Sequence, residues 1–577
     1  MAASMKLYYD KRLKDPTYYI QQGFRNGKKT TTKNIKRLGK HSELLLITDN
    51  PLEYAKNEVK KMNEEYRSGR SEFIVTMDFN ERIPSTDSPC SNSTSLNIGY
   101  LYLKDIYAKL NPSDFFKSVS SDRKITYDCN KICQFLTYAR ILDPASKYGT
   151  YDKLDTYYEK PQVEYQHMIR FLDILDRNSD QYLKHLFDNS ENIVKRDTSV
   201  MYYDCTNYFF EIEQEDGDRK YGKGKEHRPN PIIQMGMFMD GDGIPLAFSL
   251  FPGNANEQTS LKPLEGKVLQ DFGCTKFIYC SDAGLGSEAI KKINHAGERA
   301  FIVTQSIKKL NKDDKKWALD KTGFKRVSDD MPVELSEIPE DDNGLYYKDE
   351  PYTPHTLHQR LIVTYSPKFA RYQKTIRDLQ VERAKKMLQS GNIKKERRNP
   401  NDPARFIGKT AVTEDGEAAD IRHYLDTDKI EDEALYDGMY AVTTDLLDDD
   451  VKDILKVSEG RWEIEECFRI MKTDFEARPV FVHADARIRA HFLICFLSLV
   501  IYRYLEKDLG QDFTCEMILD KLKSMNFANI QDQGFIPLYT RDRLTDSLHK
   551  ICGFDTDFKF ITKSQMKTIQ KKSKGRE

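Results

Sequence analysis

The alternation of apolar and polar positions changes character along the chain, and those changes divide it. Residues 16–38 read as a β-hairpin: Tyr18-Tyr19-Ile20, the turn Arg25-Asn26-Gly27-Lys28, then a Thr-rich strand, Asn-Gly being a strong turn signal. A charged helical stretch follows from Pro51 to about Arg67. Residues 85–96, rich in Ser, Thr, Asn and Pro, read as a linker. From 96 to 195 the period is helical, with Leu96, Tyr100, Leu103, Tyr107 and Leu110 at three- and four-residue steps. Asn111-Pro112-Ser113-Asp114 and Asp143-Pro144-Ala145-Ser146 mark stops and new caps. At 199 the pattern turns to strand: Ser199–Phe210, Pro231–Met239 and Ile244–Phe251, the last two joined by Asp240-Gly241-Asp242-Gly243. A helix at 257–272, a strand at Phe277–Cys280, a helix at Ser287–Ala296 and a strand at Ala300–Thr304 follow. After a long interruption come a strand at Gly438–Thr444, a helix at 461–472 and an apolar helix at Ile488–Leu505.

The helix at 461–472 departs from the pattern of a solvated face. At ~100° per residue, with Arg461 at zero, Glu465 falls near ~40°, Lys472 near ~20° and Phe468 near ~340°. Ile464, Cys467 and Met471 cluster between about 240° and 300°, a buried stripe. One carboxylate thus stands between two cations at the border of the apolar face, where a surface helix would mix charges for i,i+4 support. A second carboxylate, Asp204, lies inside a strand of aromatics, Tyr202-Tyr203-Asp204-Cys205-Thr206-Asn207, where burial is costly unless the group is paired or metal-bound. A third, Asp282, ends a short strand in Ser281-Asp282-Ala283-Gly284. Asp216, Asp218, Asp240 and Asp242 sit in turns, which favour Asp for backbone reasons. Glu466 points near ~140°, away from the cations. These five are set aside as ligands.

Composition refines the picture. The 577 residues amount to several domains. Hydrophobic content is 39%, but 33 Tyr and 30 Phe supply large apolar area. Charge is high at 31% and nearly balanced, net −1, which excludes a globally basic nucleic-acid binder. The balance conceals blocks. Residues 11–40 hold ten Lys/Arg and one Asp, residues 371–410 twelve Lys/Arg and four acids, and residues 414–453 fifteen acids and three bases. Local basic blocks suit phosphate binding. The ten Cys are scattered, several in apolar runs, and read as reduced thiols. The N-terminus lacks a signal-peptide core, and the longest apolar run, Phe492–Tyr502, reads as a buried helix too short to span a bilayer. A soluble, cytoplasmic protein is expected. Trp317 reads as a core residue, with stacking on a base the alternative.

The spacing of Arg461, Glu465 and Lys472 resembles the Tyr-(2)-Arg-(3)-Glu-(6)-Lys signature of DDE-type insertion-sequence transposases, with Ser458 at the Tyr position. Tyr203-Asp204-Cys205-Thr206-Asn207, Gly224-Lys225-Glu226-His227-Arg228-Pro229, Gly243-Ile244-Pro245-Leu246, Phe251-Pro252-Gly253-Asn254 and Ser281-Asp282-Ala283-Gly284 look like that family's blocks in its order. The resemblance covers about 200 to 305 and 436 to 505. It implies an α/β fold: a ribonuclease H-like mixed sheet flanked by helices, interrupted by an insertion domain, and preceded by an N-terminal hairpin and a helical DNA-binding region. In such a core the first strand carries one Asp and the fourth ends in another, the places of Asp204 and Asp282.

The resemblance further implies that Asp204, Asp282 and Glu465 are catalytic metal ligands for two Mg²⁺ ions, with Mn²⁺ able to substitute. Arg461, Lys472, Lys225 and Arg228 would contact DNA phosphates. The expected partners are double-stranded DNA, as terminal inverted repeats and target, and a second copy in a homodimer on DNA. The activity implied is that of a bacterial transposase that cuts element ends and joins the 3′-hydroxyl to target DNA. The alternatives are a Mg²⁺-dependent nuclease of the same fold without strand transfer, and an inactive repressor derived from a transposase. The expected division is 1–84 as a basic hairpin region, 85–195 as a helical DNA-binding domain, 196–304 and 436–510 as the two parts of the catalytic core, 305–435 as the insertion, and 511–577 as a C-terminal region whose Lys-rich tail from 565 is disordered.

Overall fold

A computed structural model of the chain describes residues 5–26, 29–68, 95–121, 125–226, 228–391, 393, 401–411, 421–530 and 533–575. The chain forms two compact units, residues 1–90 and 91–577. In the first, strands β1 (Lys6–Tyr8), β2 (Thr17–Asn26) and β3 (Lys29–Lys40) make an antiparallel sheet in that order. The hairpin is as expected; its connecting Gly27 and Lys28 lie outside the described residues, as does the linker up to residue 94. Helix α1 (Pro51–Ser68) carries Leu52, Tyr54 and Ala55 into one small core with Leu7, Tyr18 and Leu38 of the sheet. One face of the sheet is therefore covered.

The second unit opens with β4 (Ser95–Asn97), then helices that include α2 (Cys129–Leu142) and α3 (Tyr165–Arg177). Leu96, expected on a helix, lies in β4 and pairs with Phe527 of a distant strand. That pairing supplies what a three- and four-residue period cannot show. Strands β5 (Val200–Phe209), β6 (Ile232–Asp240) and β7 (Pro245–Pro252) run antiparallel; after helix α4 (Glu257–Gln270), β8 (Ile278–Ser281) and β9 (Ala300–Thr304) run parallel to β5. The order β7-β6-β5-β8-β9 is that of a ribonuclease H-like core.

The insertion does not stand apart from this sheet. Its strands β10 (Phe324–Arg326), β11 (Pro332–Val333), β12 (Tyr346–Tyr352) and β13 (Gln359–Tyr365) continue it. Beyond the long helix α5 (Pro367–Ser390) and the hairpin β14 (Ile407–Ala411) and β15 (Ile421–Leu425), β16 (Met439–Thr444) bridges β13 to β9. The result is one ten-stranded sheet, β11-β10-β12-β13-β16-β9-β8-β5-β6-β7. Trp317 packs with the apolar cluster of Phe324, Leu361 and Val363, and Lys348 Nζ lies 4.7 Å over its ring.

Side chains alternate across a strand, and the sheet uses both faces. Met201, Tyr203, Cys205, Tyr279, Phe301 and Val303 pack with Leu261, Leu264 and Val268 of α4. Tyr202, Tyr208, Cys280 and Ile302 face the other way, toward α6 (Trp462–Arg469) and α7 (Asp485–Asp508). The apolar run lies within the 24-residue α7, which by length and composition is long and apolar enough to cross a membrane; its apolar stretch is 94% buried within the protein, as expected of a buried helix. Its Ser498 hydroxyl donates to Thr137 O of α2 at 3.1 Å. The chain closes with β17 (Asn526–Ile530), β18 (Gly534–Pro537), β19 (Ile561–Thr562) and helix α8 (Lys563–Lys572). The expected disordered tail is thus helical through Lys572. Met566 and Ile569, three apart, bury one side of α8, and Thr562 caps it by accepting from Gln565 N at 3.2 Å.

Candidate active site

Parallel pairing of β5 with β8 sets Tyr202 opposite Cys280. Both side chains lie on the face toward α6 and α7. Two residues farther along each strand, at the same parity, stand Asp204 and Asp282. Adjoining strands are about 4.8 Å apart, so the two carboxylates stand on neighbouring strands, Asp204 in the middle of β5 and Asp282 just past the end of β8. Asp204 is buried, 7% exposed; its Oδ1 accepts from Cys205 N at 2.7 Å. Asp282 caps a short helical turn, Oδ1 accepting from Gly284 N at 2.9 Å and Leu285 N at 3.0 Å. These bonds fix its side chain at the strand's end.

Glu465 comes from α6, whose Ile464, Cys467 and Phe468 are buried. Cys467 Sγ lies 3.9 Å from Met239 Sδ of β6, which seats the helix on the sheet. A second anchor lies on the helix's flank. Arg503 of α7, fully buried, donates to Glu463, to Glu506 Oε2 at 2.5 Å and to Gly243 O at 3.0 Å in the β6–β7 turn. Glu465 itself is exposed, its Oε1 accepting from Arg461 Nη1 at 2.7 Å. Burial pushes the Asp204 carboxyl up to about 6; Lys225 and the Cys205 amide pull it down, while Asp282 and Glu465 push it up further. All three acids therefore share one electrostatic site.

Beyond Glu465 the expected single helix changes. Ile470–Asp474 forms a π turn, with Phe475 N donating to Ile470 O at 2.9 Å. The extra residue in that turn shifts the register, and Lys472 Nζ stands 5.5 Å over the Tyr208 ring. Its pKa is pushed down to about 8, first by burial, with Glu226 and Asp204 opposing and Arg478 and Lys225 adding. Lys225 Nζ donates to Cys205 O, next to Asp204. Arg228 stacks 4.1 Å over Phe209, and Arg478 lies 4.8 Å from the same ring. Glu226 bonds Arg478 and lies 3.7 Å from Arg228. So Lys225, Lys472, Arg228 and Arg478 gather along β5 beside Asp204, with Glu226 among them.

The sequence model for the transposase DDE domain matches residues 206–501. The chain belongs to the DDE transposase family. The match begins just past Asp204, spans Asp282 and Glu465, and covers the insertion between them. A cryo-EM structure of a piggyBac transposase synaptic complex with hairpin DNA is similar at 8% identity and a TM-score of 0.34, over 82% of this chain and 84% of that one. No protein of curated function matches.

The acids set aside on sequence have other partners in the transposase. Asp240 is buried against Arg196 and accepts from Ile244 N at 2.8 Å; Asp242 lies 3.5 Å from Lys507. Asp216 bonds Arg219, Asp218 lies 3.8 Å from Arg489, and Glu466 takes two 2.7 Å bonds from Arg469. Asp204, Asp282 and Glu465 each accept through one oxygen and keep the other clear of protein hydrogen bonds among the described residues. Carboxylate oxygens are the donor type that a divalent cation of the magnesium type takes, but the three acids do not bring an oxygen each to within 4.8 Å of one another; among the described residues the acids and histidine that do are Asp546, His549 and Asp557. Sequence reading missed Arg478, Arg503 and Glu463, whose isolated charges carry no spacing signal. It also missed Tyr440 of β16, whose hydroxyl lies 3.5 Å from Ser458 Oγ and 2.7 Å from Thr304 Oγ1. That phenol stands beside the position where the family signature has tyrosine.

Proposed function

We propose that the transposase acts for a bacterial insertion sequence, nicking DNA at the element's ends and joining the freed 3′-hydroxyl to target DNA. The observation that supports this reading is that Asp204 and Asp282 each stand two residues past the paired Tyr202 and Cys280, with Glu465 of α6 acting electrostatically on the Asp204 carboxyl. Asp204 would hold both of two Mg²⁺ ions, with Asp282 and Glu465 each completing one, and Mn²⁺ able to replace them. Bound, such ions would acidify the attacking water or hydroxyl and stabilise the departing oxygen. Arg461 keeps Glu465 turned along the site. Lys225, Lys472 and Arg228, joined by Arg478, hold the phosphate chain leading away from the scissile bond. Two protein copies would bring the two element ends together.

The test is strand transfer with labelled end DNA and a plasmid target in Mg²⁺. Asp204→Ala, Asp282→Ala and Glu465→Gln should each abolish both nicking and joining, by at least about a thousandfold, while end binding in EDTA stays within about twofold. Nicking without joining in the wild-type protein would replace this reading with a nuclease.

A further inference from the structure

The N-terminal unit is built on the sheet of β1, β2 and β3. Its sheet has two unlike faces. Leu7, Tyr18 and Ile20 point toward α1. On the open face the register forms two rows across three strands: Lys6, Gln21 and Asn34 in one, and Tyr8, Tyr19 and Arg37 in the next. Lys6, Tyr8, Asn34 and Arg37 are exposed. The three strands contain no Asp or Glu; the nearest acids at their ends are Glu43, 3.3 Å from Arg37, Asp10 just past β1, and Asp15, which accepts from Ser42 just past β3. Gln21 Nε2 donates to Asn34 Oδ1 at 2.8 Å. That bond ties the two amides together and leaves the Asn34 NH₂ and the Gln21 carbonyl to face outward.

We propose that this open sheet face enters the major groove of duplex DNA and reads base edges, with Gln21, Asn34 and Arg37 as the reading residues and Lys6 on a flanking phosphate. A surface of this kind should be cationic, narrow and rich in amides. Three strands at about 4.8 Å spacing span roughly 10 Å, against a groove about 12 Å wide. Asn34 offers NH₂ donors and Gln21 a carbonyl, the complement of adenine N7 and N6; Arg37 offers the fork that suits guanine O6 and N7. An apolar partner protein would find few aliphatic side chains here. The inference is independent of the catalytic reading, because it concerns recognition by the first unit alone.

The experiment uses the full-length protein in EDTA, so that no cleavage intervenes. Duplexes with 20 random base pairs are selected by repeated capture, and bound sequences are read. The wild-type protein should enrich a short motif. Gln21→Ala/Asn34→Ala and Arg37→Lys should each lose preference at one or two adjacent positions and bind the motif about tenfold more weakly, with unrelated duplex bound as before. Lys6→Gln should weaken both duplexes alike and reduce the salt dependence by about one contact. Thermal melting at the wild-type temperature shows that each variant is folded. Enrichment of no motif, retention of the same motif by the variants, or tighter binding of single strands than duplex would overturn the proposal.

Discussion

Asp204 and Asp240 are both buried carboxylates on neighbouring strands, and the protein treats them oppositely. Asp240 is bound by Arg196 and by the Ile244 and Asp242 amides. Asp204 has one amide, and the nearby Lys225 ammonium is spent on a carbonyl. A buried charge without a partner costs stability, and one deprived of its partner costs more. Asp204→Asn should therefore leave the denaturation midpoint in EDTA unchanged or higher while abolishing cleavage, the pattern of a group kept for function. Asp240→Asn should lower stability by about 3 kcal/mol, because Arg196 is left uncompensated. Urea titration of both variants separates the two cases. The same logic applies at Lys147, buried with its Nζ 3.1 Å from His491 Nδ1 and with Arg140 and Cys495 as its other titratable or charged neighbours. Burial pushes its pKa down from 10.5 to about 7. Between those values the unfolded chain binds the proton that the folded chain refuses, so this group's contribution rises with pH. Relative to Lys147→Met, the wild-type protein should gain on the order of 1 kcal/mol per pH unit from pH 7.5 to 9.5, read as the difference between their urea midpoints. A wild-type minus variant difference flat with pH would show that Lys147 is already charged when folded.

At the scale of elements, legibility followed the range of the interactions. Strands β5 to β9 lie where the alternation put them because each is short, apolar and bounded by turn residues, and Asp204 and Asp282 stand out as charges in the wrong places. The helix at Glu465 was visible from its stripe of Ile464, Cys467 and Met471. The π turn at Ile470–Asp474 was not, since Met471 and Phe475 settle into the core by contacts remote in sequence. Nor was Leu96 legible as strand, because its partner Phe527 lies at the far end of the chain. The cations Arg478 and Arg503 were invisible for the same reason. Arg503 matters most to the element. It ties Glu463 on α6 to the β6–β7 turn from α7, so it sets the roll of the helix that carries Glu465. Arg503→Met should cost about 3–5 kcal/mol, because Glu463 and Glu506 lose their shared cation. Arg503→Met/Glu463→Gln should recover part of that stability without recovering the wild-type cleavage rate. Equal recovery of both would mean that apolar packing alone orients the helix.

At the scale of the molecule, one sheet runs through a chain that leaves it and returns. Between Asp282 and Glu465 the chain adds β10 to β13 before coming back as β16. Sequence composition marks this stretch as an interruption, with its basic and acidic blocks, and suggests a separate body. Hydrogen bonding makes it a continuation: β16 lies between β9 and β13, pairing with β13 from Arg360↔Thr444 to Tyr365↔Met439. Removing residues 306–437 should therefore do more than shorten a loop. It would leave β16 as an edge, strip Ala441 of the cluster it shares with Leu361 and Val363, and present unpaired backbone groups that invite association. That deletion should give aggregated protein. The hairpin β14–β15 belongs to a different sheet. Replacing residues 408–424 by a short Gly-Ser linker should keep the protein monodisperse and within about 1 kcal/mol of the wild-type stability, since closing a loop of this length changes little. Size-exclusion chromatography and urea denaturation of the two variants decide the matter: a soluble, cooperatively unfolding 306–437 deletion would show that the catalytic half-sheet closes without the insertion's strands.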